Sequence, residues 1–416
     1  MLTMSDDEAP VLDAGSVASA ASPALVDGAV SVPGMPVAAV VVPDIPAVPP
    51  PFARPPAGYG ADAWLRRGAG AIRGATLGPI ESTQHPGVGY GTPASAEALD
   101  ELVALGCTWV SLTPFGRLWD LHSTDVAMDF ESPFRVNRAA LLRVIAQAHA
   151  RGLAVLLVPH LWVDAGGWRG EIDPGSEPGW ARWFASYTHF VTEWARVAQE
   201  GHVEMFSIGV EMKSSSHTHG VQWLDVIEAV RRAYAGMLTY SANWDEEPLV
   251  TFWDRLDVVG INAFYPLAER DGAALDVLRR GAVERARQLG EWATREGRTV
   301  MFTEFGYTAR ANPAVRPWEW PDSMADVHVD AHAQADAYRA LLEAFVPQPW
   351  FAGAFVWRYY SNPMDASQES AWGFSPRGRE AEDVLRDFNG LVWGSDVLRA
   401  RAPWALWDET LPAMHE

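Results

Sequence analysis

A repeated unit runs through the chain from about residue 60 onward: a short apolar run with strand character, a loop, and an amphipathic helical stretch. The unit occurs eight times. The 48% hydrophobic content of the 416 residues is enough to build a large core around such units. The eight apolar runs are Ala71–Leu77, Thr108–Leu112, Ala154–Val163, Val203–Glu211, Leu238–Trp244, Asp257–Tyr265, Val300–Tyr307 and Phe351–Trp357.

Alternating β and α units produce parallel strands that are covered by helices, and eight of them fit a closed (β/α)8 TIM barrel, an α/β fold. The alternative is an open doubly wound sheet. Such sheets typically carry a glycine-rich phosphate-binding turn after the first strand, and none follows Ala71–Leu77. We therefore predict the barrel, with helices near 95–106, Asn137–Gly152 (Asn137 as N-cap), 180–200, 220–235, 247–255, 274–296, 331–346 and 379–389.

The first 57 residues differ from the rest in composition. They are rich in Ala, Val, Pro and Ser, contain three prolines at 49–51, and show no sustained helical or strand period. This composition predicts a disordered tail or linker over residues 1–57 and a folded domain over 58–416.

The overall charge limits the class of partner. The formal net charge is −21 and the pI is near 4.9, with Lys213 as the only lysine. Sequence-independent binding to nucleic acid or to an anionic membrane needs clustered basic residues, so we expect neither. A neutral partner is favoured.

Neither a disulfide nor membrane insertion is predicted. Cys107 is the single cysteine, so no internal disulfide is possible. No apolar run reaches the roughly 18 residues that a membrane helix needs. The first twenty residues contain four acidic and no basic residues, so they lack the positive region of a secretory signal, and export would require a different start.

Two of the strand-like runs end on a glutamate. Glu211 closes the run that begins at Val203, and Glu304 lies at the end of the run that begins at Val300. A buried strand accommodates a carboxylate only if it is paired or functional. In a barrel the C-terminal strand ends share one mouth, which carries the active site. The two carboxylates are therefore predicted to lie in one site.

Further polar and aromatic residues follow the other strands. Trp presents a flat apolar face that can stack on a sugar ring, and 20 Trp are present. The predicted substrate-binding residues are His160, Trp162, Asn243, Trp244, Asn262, Tyr265 and Trp357. Arg358 is a candidate for neutralising a site carboxylate, and Arg117 for a surface ion pair.

The fourth and seventh strands lie nearly opposite each other in an eight-stranded ring, so Glu211 and Glu304 are expected to face each other. Two facing carboxylates suit glycoside hydrolysis, in which one protonates the leaving oxygen while the other attacks the sugar or activates water. No cofactor is required, and the predicted partner is an oligo- or polysaccharide.

Four segments carry a resemblance to a known family. Val158–Trp162, Phe206–Glu211, Gly260–Leu267 and Phe302–Tyr307 resemble glycoside hydrolase family 113, a clan A family of (β/α)8 enzymes acting on β-1,4-mannan and manno-oligosaccharides. The resemblance spans about residues 70–395. It implies a retaining mechanism with Glu211 as acid/base, Glu304 as nucleophile, Tyr265 bonded to the nucleophile and Trp357 beneath the sugar.

One position departs from the clan pattern. Many members have Asn before the acid/base, where it contacts the sugar 2-hydroxyl, and this chain has Val210. Either Asn243 or His160 takes that contact, or the substrate is another β-glycan such as a glucan or xylan. A barrel that binds carbohydrate without cleaving it is the remaining alternative.

Two histidine pairs, His217 with His219 and His328 with His332, have spacings found in metal sites. Neither belongs to an HExxH motif, and both lie in predicted surface segments. We therefore predict no metal site.

Overall fold

The computed structural model describes residues 72–78, 87–319, 327–362 and 371–390. Residues 1–57, the predicted tail, lie outside these ranges. The strands are β1 (Ile72–Gly78), β2 (Trp109–Leu112), β3 (Phe115–Leu118), β4 (Ala154–Leu157), β5 (His160–Val163), β6 (Met205–Val210), β7 (Met237–Asn243), β8 (Val259–Asn262), β9 (Val300–Phe305) and β10 (Phe351–Tyr360). The helices are α1 (Pro93–Ala104), α2 (Phe134–His149), α3 (Glu177–Glu200), α4 (Lys213–Thr218), α5 (Gly220–Ala233), α6 (Leu275–Arg295), α7 (Ala331–Phe345) and α8 (Glu380–Asn389).

Eight strands form a closed parallel barrel, which confirms the predicted fold. Their order is β1-β10-β9-β8-β7-β6-β4-β2, and β2 pairs with β1 to complete the ring. All neighbouring pairs are parallel. The C-terminal ends of all eight strands therefore lie at the same mouth, with Glu211 directly after β6 and Glu304 within β9.

The core has two layers, one inside the barrel and one between the barrel and the helices. The interior contains large apolar side chains that include Trp109, Met301 and Phe355. The outer layer includes Trp183 and Trp223 from the helices. Because the strands are buried on both faces, they read in the sequence as continuous apolar runs rather than as alternating patterns.

Side-chain caps define where three of the helices begin. Ser176 accepts a hydrogen bond from the Gly179 N–H before α3, and Asp330 accepts one from the Ala333 N–H before α7. Thr92 caps α1 in the same way. Each cap satisfies a backbone donor that has no partner within its own helix.

The third predicted strand is wrong in one respect, because Ala154–Val163 forms two strands. Pro159 has no N–H to donate and separates them. The first, β4, belongs to the barrel, whereas β5 pairs with β3 in a separate two-stranded parallel sheet.

Two predicted helix features also differ. Asn137 does not cap α2, which begins three residues earlier. Its Nδ2 instead donates to the carbonyls of Phe130 and Ser132, at 2.9 and 3.0 Å, and ties the preceding loop to the helix. The stretch predicted as a helix at 247–255 contains two 3₁₀ helices, Glu247–Leu249 and Trp253–Arg255. A third 3₁₀ helix spans Arg169–Glu171. Across the described ranges, no helix is both long and apolar enough to cross a membrane.

The closure of the barrel predicts a sharp difference between two glycines. Gly353 on β10 has φ +147°, and a Cβ there would lie 1.9 Å from the carbonyl oxygen of Ile72 on β1. Gly152 also has a positive φ, +77°, but nothing lies within 4 Å of its Cβ position. Gly353→Ala should lose about 3 kcal/mol of unfolding free energy or more, since strand pairing must yield, whereas Gly152→Ala should lose only about 1 kcal/mol. Chemical denaturation of the two variants would measure this, and equal losses would contradict it.

Candidate active site

A cleft of about 450 Å³ opens at the barrel mouth between the two glutamates. Six of the nine residues predicted for the site line it: His160, Glu211, Asn243, Trp244, Glu304 and Trp357. The other lining residues are Trp168, Arg169, Lys213, Asp245, Phe264, Trp318 and Phe374. The cleft therefore combines two carboxylates with cationic groups and aromatic rings, within a volume typical of small-molecule sites.

A shift in strand register places Glu304. Along β8 and β9, Ile261 pairs with Phe302, but the next residue, Asn262, pairs with Glu304. Thr303 is thus the extra residue of a bulge, and its hydroxyl donates to Asn262 Oδ1 at 2.8 Å. Bulges re-aim side chains at barrel rims, and this one sets Glu304 beside the Asn262 amide.

The second carboxylate, Glu211, is held by its backbone and by two side-chain donors. Its φ of +52° is in the left-handed region, and its N–H donates to the Ser241 carbonyl at 2.8 Å. Asn262 Nδ2 donates to Oε1 at 3.0 Å, and Trp168 Nε1 donates to Oε2 at 3.1 Å. Each carboxylate oxygen has a neutral donor, so the orientation of the group is set before substrate arrives.

A three-residue series reaches Glu304 from the opposite side. Arg169 Nη1 lies 2.7 Å from His160 Nδ1, and His160 Nε2 lies 3.4 Å from Glu304 Oε1. Because a guanidinium can only donate, His160 Nδ1 must accept, and its proton is therefore on Nε2. Nε2 and Oε1 are both buried and neither has a hydrogen-bond partner among the described residues, so the two atoms are close without forming a hydrogen bond.

Burial and charge shift the titration of both groups. Burial raises the pKa of Glu304 well above its usual value, and the negative charge of Glu211 raises it further. The charges of Arg169 and Arg358 and the Asn262 amide act in the opposite direction. Burial lowers the pKa of His160 well below its usual value, and the positive charges of Arg169 and Arg358 lower it further. His160 is therefore neutral at physiological pH.

The loop after β7 is anchored by a buried carboxylate. Glu246 accepts hydrogen bonds from the Tyr240 hydroxyl at 2.6 Å and from the Asn243 N–H at 2.8 Å. The Asn243 side chain donates to Asp245 Oδ1 at 2.7 Å, and Lys213 Nζ contacts Asp245 Oδ2 at 2.6 Å. These bonds fix the polar wall of the cleft.

Aromatic rings form two further parts of the cleft. The Trp357 ring stacks on His160 with 6.1 Å between centroids and a 12° interplanar angle, and Arg358 lies over Trp357 at 5.0 Å. Trp244 stacks on Trp318 at 5.7 Å, and Trp318 is 45% exposed. Both stacks present flat apolar surface of the kind that binds the C–H face of sugars.

Three predicted residues do not line the cleft. Asn262 lies behind it and contacts Glu211 from there. Tyr265 is buried, and its ring stacks on Phe345 at 5.9 Å. Its hydroxyl has no hydrogen-bond partner among the described residues, so the predicted bond to the nucleophile is wrong. Trp162 is 52% exposed on β5, outside the cleft.

The sequence prediction of the site omitted seven of the lining residues: Trp168, Arg169, Lys213, Asp245, Phe264, Trp318 and Phe374. Arg169 lies in a 3₁₀ helix that no periodic pattern announces. Lys213 gave a signal, since the single lysine of the chain follows Glu211 by two residues.

The histidine pairs occupy other surroundings. His219 packs on Trp180 at 4.3 Å, and His332 pairs with Glu380 at 2.8 Å. Within the part of the chain that the structure describes, no group of three or more His, Cys, Asp or Glu residues could hold a metal ion.

Comparisons with known proteins point to one family. The model of glycoside hydrolase family 113 matches residues 83–374. The GH113 β-mannanase AaManA from Alicyclobacillus acidocaldarius, solved with ManMIm, is 28% identical at a TM-score of 0.66, covering 76% of this chain and 96% of that one. A second GH113 β-1,4-mannanase structure is 25% identical at a TM-score of 0.65, covering 76% and 98%.

More distant structures share the fold alone. Cel5A from Thermotoga maritima, solved with mannotriose, is 13% identical at a TM-score of 0.50, covering 77% of this chain and 99% of that one. No curated protein sequence matches the chain. The family model covers well over half of the chain, and the chain belongs to glycoside hydrolase family 113 and is a glycosidase of the β-mannanase type.

Proposed function

We propose that the protein cleaves β-1,4-linked mannan or manno-oligosaccharides with retention of configuration, using Glu304 as nucleophile and Glu211 as acid/base. The observation that carries this proposal is the single cleft that two carboxylates share, in which the charge of Glu211 raises the pKa of Glu304. Such electrostatic coupling requires the two groups to lie close together, where both can reach the same bound molecule.

The mechanism has two displacements. Glu304 attacks the anomeric carbon while Glu211 gives its proton to the departing glycosidic oxygen. Glu211, now a carboxylate, takes a proton from water, and that water attacks the glycosyl-enzyme and releases Glu304. The neutral donors on both oxygens of Glu211 remain in place as its charge changes, so the group need not reorient between steps.

One proton must be divided correctly between the two carboxyls. The charge of Glu211 raises the pKa of Glu304, so the two carboxyls compete for one proton. Catalysis requires that proton on Glu211. Arg169 and Arg358 lower the pKa of Glu304, as does the hydrogen bond from Asn262, so these three residues favour the ionised nucleophile. These residues take the role that the sequence predicts for Tyr265, which is to keep Glu304 ionised.

The sugar contacts are assigned by what each side chain has free. Val210 is fully buried inside the barrel and cannot reach a hydroxyl. Both nitrogens of His160 face protein groups, Arg169 and Glu304. Asn243 lines the cleft, so we assign it the 2-hydroxyl contact. Trp357 supplies the platform at the cleavage point.

The similar proteins support mannan as the substrate, since both are named β-mannanases. Val210 is the observation that favours another β-glycan. Comparing hydrolysis of β-1,4-linked manno-, cello- and xylo-hexaose by the purified protein separates these substrates, with cleavage of the manno-oligosaccharide expected. No cleavage of any of them, with binding retained, would replace the enzyme by a carbohydrate-binding barrel.

Replacing each glutamate should produce different defects. Glu304→Ala cannot form the glycosyl-enzyme and should lose turnover on every substrate, by roughly 10⁴-fold or more. Glu211→Ala should fail on mannohexaose. It should still release a burst of dinitrophenolate from a dinitrophenyl mannoside, because that leaving group needs no proton, whereas hydrolysis of the glycosyl-enzyme lacks its base. Stopped-flow absorbance measures the burst. Glu171 is exposed, so Glu171→Gln is the matched control and should keep wild-type activity. A burst in the Glu304→Ala variant would show that Glu304 is not the nucleophile.

The dependence of kcat/KM on pH should be bell-shaped, with an acid limb set by ionisation of Glu304. Arg169→Met removes a cation that lowers the pKa of Glu304. The acid limb should move to higher pH, and the maximum should fall about 10- to 100-fold as His160 loses its partner. Arg169→Lys keeps the charge and should keep the limb. Arg151→Met, at a surface ion pair with Asp100, serves as the control for loss of an arginine. An unshifted limb in Arg169→Met would contradict this role.

The raised pKa of Glu304 also has a consequence for stability. A carboxyl whose folded pKa exceeds its unfolded value binds more protons in the native state. Its contribution to the free energy of unfolding is therefore full below the unfolded pKa and is lost as pH rises through the folded pKa. The Glu304→Gln variant has no carboxyl at this position, so its stability does not fall with pH for this reason. The Tm of the variant relative to wild type should therefore increase as the pH rises above about 4, near the unfolded pKa. Differential scanning calorimetry measures it, and a constant difference would contradict the shared proton.

A further inference from the structure

The two-stranded sheet of β3 and β5 begins at the active site and leads away from it. Phe115 pairs with His160 and Arg117 pairs with Trp162. Alternate residues face inward: Gly116, Leu118, Leu161 and Val163 are buried. The other face therefore carries His160 at its inner end and Trp162 two residues further out, about 6.6 Å along the strand.

An unbroken series of ring contacts follows this face. His160 stacks on Trp357, and its other neighbour is Phe115, with 5.2 Å between centroids. Phe115 stacks on Phe130 at 5.0 Å, and Phe130 meets Trp162 edge-on at 6.4 Å. The series connects the proposed cleavage point to a tryptophan that is 52% exposed.

A second exposed tryptophan extends the same face. The Ala165 N–H donates to the Trp119 carbonyl at 2.8 Å, so the parallel pairing continues past the end of β3. Trp119 is two residues beyond Arg117, hence on its side of the sheet, and is 69% exposed. Asp164 contacts Arg117 Nε at 3.1 Å. We call Arg117, Trp119, Trp162 and Asp164 the rim platform.

The chemistry of the rim platform matches a neutral glycan. Exposed tryptophans grouped on one face indicate a binding surface, because a soluble protein gains nothing by keeping them in water. Indole faces bind sugar C–H surfaces, and the adjacent Arg117, which is paired with Asp164 and Glu131, offers donors and acceptors to hydroxyls together with these carboxylates. The strongly acidic chain as a whole makes an anionic polymer an unsuitable ligand.

We propose that the rim platform is a distal binding site for polymeric β-glycan, occupied by sugar units of the same chain whose scissile bond lies in the cleft. The proposal rests on the proposed function for the identity of the sugar. It implies that Trp162, which does not line the cleft, contributes to substrate binding only when the chain is long enough to reach it.

Kinetics on short and long substrates test the site. Trp162→Ala and Trp119→Ala should each raise the KM for soluble glucomannan roughly twofold to tenfold, and the double variant more, while kcat stays unchanged. Values for mannotriose, which is too short to span from cleft to rim, should not change. Trp162→Phe keeps a ring and should retain most of the effect. Val221→Ala, another exposed apolar residue, is the control for surface change. Unchanged KM on the polymer in the double variant would overturn the proposal.

A binding measurement separates failure of this site from failure of the proposed function. Affinity electrophoresis in gels containing glucomannan uses the Glu304→Gln background, so that no hydrolysis occurs. Retardation that weakens in the Trp119→Ala/Trp162→Ala double variant supports the rim platform even if the wild type cleaves no mannan. Equal retardation of the background protein and the double variant would refute the rim platform. So would the absence of retardation on glucomannan, cellulose ether and xylan gels. Thermal unfolding confirms that the variants are folded.

Discussion

Hydrogen bonding between β10 and β1 closes the sheet, and the geometry of the active site depends on that closure. Without it the strands would form an open sheet, and the ends of β6 and β9 would not face each other across a ring. Gly353 pairs with Ile72 across these two strands, where there is no room for a side chain. A closed barrel also removes the exposed strand edges, so its rim can carry loops selected for binding rather than for protection of an edge.

Within the closed barrel, the two carboxylates have different electrostatic surroundings. Repulsion between Glu211 and Glu304 in a poorly solvated cleft makes two simultaneous charges unfavourable, and the surroundings decide which group keeps the proton. Glu211 has neutral donors, whereas Glu304 is affected by the charges of two arginines and has the neutral His160 3.4 Å away. Two chemically identical side chains can thus act as acid and nucleophile in one site.

The aromatic residues connect this chemistry to the surface. Trp357 stacks against His160, and His160 also lies beside Glu304. One contact therefore links a ring that would support the sugar to a neighbour of the proposed nucleophile. From there the β3–β5 sheet carries aromatic side chains outward to Trp162. The loop after β7 is held separately, by the buried Glu246.

The sequence by itself determined the eight-unit barrel and the two glutamates in its mouth, because burial on both faces produces apolar runs and a carboxylate at the end of such a run is conspicuous. It also indicated Asn243, Trp244 and Trp357, since parallel strands bring their C-terminal ends together. Only the tertiary structure decided which groups act on those carboxylates. The register shift at Asn262, the placement of Arg169 beside His160 and the burial of Tyr265 away from Glu304 depend on contacts between distant segments. A local pattern carries no information about such contacts, because register and side-chain neighbours are set by how the strands and loops pack.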